Sequence, residues 1–177
     1  MKIFIVAPEH INKLDIANEI VALNDDLNIC KTFTSVSNEA GLIGEYMFSL
    51  DIDDVVLSFR NNALLFLHYS EENVLGITLD DFISSDIIPI RTDHFNMIID
   101  DHISQNECVI VWIDSKQKSP NHKQDMIEAR YLQERIDNFS LPVLYFCDEN
   151  KKDIAKIILE YFLADENTRE EIIEENS

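Results

Sequence analysis

Apolar positions along the chain fall into short solid runs separated by amphipathic stretches. Residues 2–7 (KIFIVA) are almost continuously apolar after Lys2, the pattern of a strand buried on both faces. Leu14, Ile16, Ala17, Ile20, Val21 and Ala22 then recur at helical spacing. ICKTFTS (29–35) predicts a second strand, and residues 37–50 are polar with two glycines. SLDIDDVVLSF (49–59) predicts a helix with Ser49 as its N-cap and Asp51, Asp53 and Asp54 at the positive end of its dipole. ALLFLHY (63–69) predicts a strand, and TLDDF (78–82) opens a short helix capped by Thr78. IIPI (87–90), CVIVWI (108–113) and LPVLYFC (141–147) are three further apolar strands. DMIEARYLQERIDNF (125–139) and KKDIAKIILEYFLA (151–164) are amphipathic helices, and residues 165–177 form an acidic tail expected to fray.

Alternating strands and helices predict a three-layer α/β/α fold around a mostly parallel, five-stranded sheet. Such sheets bind ligands at the carboxyl ends of their strands, so the informative residues follow Val6, Ser35, Ile90 and Ile113. Charge narrows the ligands. With 34 acidic and 14 basic residues among 177, the net charge is −20, which repels nucleic acid and anionic lipid. No apolar run reaches the ~18 residues of a membrane span, and the first strand is too short for a signal peptide. These features predict a cytoplasmic protein. Cys30, Cys108 and Cys147 lie in or beside strand-like runs and read as buried, reduced thiols. Asp93, His94, Asp100, Asp101 and His102 match no metal-ligand spacing, so no metal site is expected.

The first strand-turn-helix, IFIVAPEHINKLDIA, sits where a phosphate-cradling loop would. GEYMFS (44–49), NNALLFLHYSEENVLGIT (61–78) and DMIEARYLQERI followed by LPVLYFCDENKKDIAKII complete a series that resembles the nucleoside-monophosphate kinases, and most of all the guanylate kinases. The resemblance spans roughly residues 2–163. It implies a P-loop fold over residues 1–164, with an acceptor-like inserted subdomain at 36–80 and a lid-like segment at 115–130. It also assigns roles. Pro8, Asn12, Lys13, Lys116, Lys118 and Arg130 would face the phosphate donor, with Lys13 and Arg130 catalytic. Tyr46, Thr78 and Arg91 would hold the acceptor.

The residues themselves depart from that chemistry. A P-loop works because glycines let successive backbone N–H groups turn toward phosphate, and a Ser or Thr hydroxyl holds Mg²⁺. Only Gly41, Gly44 and Gly76 occur in the chain, so no glycine-rich loop exists. Ala7, His10 and Asn12 take the glycine places, Leu14 and Asp15 the hydroxyl places, and Glu9 adds a carboxylate. Phe66 stands where the family's guanine-reading glutamate would be, and Leu75 where a tyrosine would be; residues 32–45 contain no basic residue. Lys116, Lys118, His122 and Lys123 form the only dense basic cluster, either a lid over phosphates or a solvated loop.

Two functions follow. One is a degenerate kinase-like protein that no longer transfers phosphate, needs no cofactor and binds a protein partner, a basic one matching its charge. The other is an active, divergent NMP or dNMP kinase using ATP and Mg²⁺, with Asp114 a candidate for holding the metal. A third possibility is an unrelated α/β binding module. The Ile-, Asn- and Lys-leaning vocabulary matches AT-rich genomes and raises a viral or phage source, with host cytoplasm or virion as the location.

Overall fold

A computed structural model describes residues 1–35, 47–70, 73–99, 108–114, 121–147 and 150–176. The chain divides into two compact units, residues 1–28 with 86–177, and residues 29–85.

The larger unit is built on β1 (Lys2–Ala7), β6 (Ile87–Arg91), β7 (Cys108–Asp114) and β8 (Val143–Cys147), all parallel, in the order β6-β1-β7-β8. The sequence pattern predicts five strands here; the described sheet has four. The run expected as the second strand supplies only Thr32–Thr34, and it pairs within the other unit. Central position explains the solid apolar runs: Ile3, Ile5, Val6 and Ala7 of β1, and Val109, Ile110 and Val111 of β7, have no exposed surface. Pro89 is tolerated because β6 is an edge strand and needs ladder partners on one side only.

Chain direction across the sheet reverses after β6. Right-handed crossovers therefore put the helices on both faces. On one face α1 (Lys13–Leu23) packs on α6 (Lys151–Leu163); on the other α4 (Thr92–Ile98) packs on α5 (His122–Phe139). The face that α1 buries is Ile16, Ala17 and Ile20, while Leu14 stays exposed. The acidic terminus forms a helix, α7 (Glu166–Glu175), capped by Asp165, whose carboxylate accepts from Thr168 N at 2.9 Å. Ile172 is buried, and the Asn176 carbonyl accepts from Tyr145 N at 2.7 Å, which closes part of the β8 edge.

The smaller unit holds β2 (Thr32–Thr34), β3 (Met47–Ser49), α2 (Ile52–Arg60), β4 (Leu64–Ser70), β5 (Asn73–Thr78) and α3 (Leu79–Ser84), with a mixed sheet ordered β3-β2-β5-β4. Phe33, Val55 and Val74 are its core. Gly76 is required at its centre: a Cβ there would lie 2.4 Å from Phe33 Cζ and 2.6 Å from the Phe66 carbonyl oxygen. Asp51, not Ser49, occupies the N-cap of α2, because Ser49 is taken up by β3.

Candidate functional site

The end of β1 leads into Pro8–Asn12 and then α1, the place where the parallel sheet would offer a ligand site. The turn is closed by Ile11 N donating to the Pro8 carbonyl at 3.2 Å. Among the described residues only Asn62 and Ser140, apart from any glycine, have positive φ, so the glycine-free Pro8–Asn12 turn contains no left-handed residue. A nest of inward N–H groups alternates right- and left-handed residues, and this turn cannot form one. Its carbonyls do the binding instead. The Lys13 ammonium donates to the carbonyls of Pro8 at 3.0 Å and Ile11 at 3.1 Å. Burial, and next the Arg91 guanidinium, push its pKa down to about 8 against the pull of Asp93 and Glu9.

Arg91 closes the end of β6. Its guanidinium donates to both Asp93 oxygens, Nε to Oδ1 at 3.0 Å and Nη2 to Oδ2 at 2.7 Å, and Nη1 lies 3.1 Å from Glu9 Oε1. Burial alone would raise the Asp93 pKa, but the hydrogen bonds and charge of Arg91, with His94, hold it below the usual value. Asn12 donates to Asp15 Oδ1 at 2.8 Å, and Asp15 also pairs with Lys151 of α6. The space left between Pro8, Glu9, Arg91–Asp93 and the start of α5 is a cavity of about 50 Å³. That is room for a water or two. Asp125 and Glu128 also line it, as does the buried Thr92, whose hydroxyl has no hydrogen-bond partner among the described residues.

Four of the residues singled out from sequence thus meet in one place: Pro8, Asn12, Lys13 and Arg91. Thr78 belongs to the smaller unit, where it caps α3: its hydroxyl donates to Asp81 Oδ2 at 2.5 Å and accepts from Asp81 N at 3.1 Å. Arg130 is 83% exposed on α5 and pairs with Glu134 at 3.1 Å. Tyr46, Lys116 and Lys118 lie outside the described residues. Sequence reasoning missed Asp125 and Glu128. Their spacing on one face of α5 was a readable signal, but that face becomes part of a cleft only once β6 and the loop after β1 are placed against it.

Mg²⁺ with a nucleoside triphosphate is the ligand pair that the sequence resemblance implies, and the chemistry of these residues does not fit it. The loop offers carbonyl oxygens and Glu9 where phosphate needs N–H groups, and Leu14 and Asp15 bring no hydroxyl. Among the described residues no group of three His, Cys, Asp or Glu side chains is arranged to hold a metal.

A parallel sheet ordered β6-β1-β7-β8, a loop and helix after its central strand, and a small separate mixed unit define a nucleotide-kinase-like α/β fold. The structure is similar to the crystal structure of guanylate kinase from Anaplasma phagocytophilum, with a TM-score of 0.53 and 10% identity over 89% of this chain and 81% of that one. No protein-family model and no curated protein matches the sequence.

Proposed function

We propose that this chain keeps the guanylate-kinase-like fold as a binding or structural module and does not transfer phosphate. One observation carries the reading: the Lys13 ammonium is held by the Pro8 and Ile11 carbonyls of a turn that has no left-handed residue. Phosphoryl transfer is almost entirely positioning and charge stabilisation, and the cations described beside this loop, Lys13 and Arg91, are engaged by the chain's own acceptors. Glu9 and Asp93 neutralise Arg91 in the same way. The net charge of −20 makes a basic protein the fitting partner, met in the cytoplasm.

A coupled assay over the common NMPs and dNMPs with ATP and Mg²⁺ tests this. We expect no turnover above background. A thermal-shift panel of mono- and triphosphates with Mg²⁺ is expected to stay flat, since any ligand bound well below its working concentration would raise Tm by mass action. Turnover that disappears in Lys13→Ala would establish the divergent kinase instead.

A further inference from the structure

Helix α2 of the smaller unit carries an apolar stripe on its exposed side. Of its nine residues only Val55 is buried, in the core with Phe33 and Val74. Phe59 is 63% exposed, Ile52 48% and Val56 42%. Their i, i+4, i+7 spacing sets the three side chains in one row along the helix. Single exposed apolar residues are ordinary, but a contiguous row that includes a phenylalanine marks a surface that meets another. A helix this short is marginal by itself, and one buried side chain anchors it weakly. Charge borders the row. Successive residues turn by about 100°, so Asp53 after Ile52 and Arg60 after Phe59 lie along the same border, at opposite ends of the helix. Among the described residues neither Asp53 nor Arg60 has a side-chain partner. Both charges suit the dipole of α2, but the dipole does not account for the apolar row between them.

We propose that α2 is the contact of a homodimer, packed antiparallel against α2 of a second copy across a two-fold axis beside Val56. Residues about equally far from Val56 on either side then meet, so Phe59 lies over the partner's Ile52. The axis is perpendicular to the plane of the two helices and keeps their charged borders on one side of that plane. Arg60 therefore comes beside the partner's Asp53 at both ends of the contact, and the helix dipoles run in opposite directions. This complementarity selects the occupant. A basic partner would set like charge against Arg60, and an acidic one would set it against Asp53, whereas a second copy answers both. The contact is small and two chains of net charge −20 repel, so the dimer is expected to be weak, with a Kd of about 10–500 μM at ~0.15 M salt. The proposal is independent of whether the chain transfers phosphate, because none of these groups belongs to the cleft beside Lys13.

Sedimentation equilibrium of the full chain, from about 10 μM to 1 mM in ~0.15 M sodium chloride, tests this. The wild type is expected to fit a monomer and dimer in exchange. Val56→Asp sets two carboxylates against each other at the axis and should leave monomer alone. Asp53→Arg and Arg60→Asp each put like charges together at both ends, and each should weaken association about fivefold or more. Mixing these two variants restores opposite charges at both ends of the mixed dimer, which should form with an affinity within about twofold of wild type. A role of either residue in folding alone would not produce that recovery, and it keeps the test decisive should Val56→Asp fail to fold. A chain that is monomeric throughout the range, a dimer that Val56→Asp leaves intact, or a mixture that associates no better than either variant by itself would each overturn the proposal.

Discussion

Lys13 is the residue on which sequence and structure press in different directions. Its position after the first strand invites a phosphate, yet its ammonium is turned into the carbonyls of its own loop. A buried ammonium is disfavoured relative to one in water, and the pKa falls from 10.5 to about 8. Between those two values the unfolded chain holds a proton that the folded chain has released, so stability rises with pH across that window, by up to ~1.4 kcal/mol per unit from this group. Below the folded value the penalty is fully present. Urea melts at pH 7.5, 8.5 and 9.5 on wild type and Lys13→Met isolate the effect, because tyrosines and cysteines titrate equally in both. The wild type is expected to gain on the variant's curve as pH increases. Parallel curves would mean that Lys13 is solvated and available to a ligand after all.

At the scale of elements, the solid and amphipathic runs were legible because their patterns state burial directly. Ile3–Ala7 and Val109–Val111 are buried as two-sided strands, and Thr78 caps the helix that TLDDF announces. Three things were not legible. The sheet membership of Thr32–Thr34 depends on partners in β3 and β5 distant in sequence. The cleft's lining by Asp125 and Glu128 depends on how α5 approaches β6. The acidic terminus reads as solvated because Ile172 and Ile173 are its only apolar residues, but α7 is held by what it meets. Arg169 donates from Nε to the Tyr161 carbonyl at 3.1 Å and from Nη2 to the Phe162 carbonyl at 3.2 Å, and its guanidinium lies 5.6 Å from the Tyr161 ring centroid. These are the carbonyls left open at the end of α6. Arg169→Ala is expected to cost about 1.5–3 kcal/mol in urea melts, the range for hydrogen bonds to a charged group. Arg169→Lys should recover only part, since an ammonium cannot reproduce the planar fork. Full stability in Arg169→Ala would return α7 to the status of a solvated tail.

For the molecule as a whole, the charge of −20 is the dominant electrostatic fact, and its consequence for folding opposes that of the local ion pairs. Compaction brings 34 carboxylate side chains and 14 bases closer together, and the excess of like charge repels. Against this stand the pairs of Arg91 with Glu9 and Asp93, Asp15 with Lys151, and Arg130 with Glu134. Most of these groups are at least partly exposed, where a pair contributes only about 0–1 kcal/mol. Salt discriminates between the two effects. It screens long-range repulsion first, because the Debye length falls to about 8 Å at ~0.15 M while close pairs remain inside that distance. The urea midpoint is therefore expected to rise as sodium chloride goes from about 10 to 150 mM and to level off beyond, once charges a Debye length apart no longer interact. A midpoint that falls over the same range would mean that the local pairs outweigh the global repulsion. A rise that continues linearly to molar salt would point to altered hydration of apolar surface, not to charge screening.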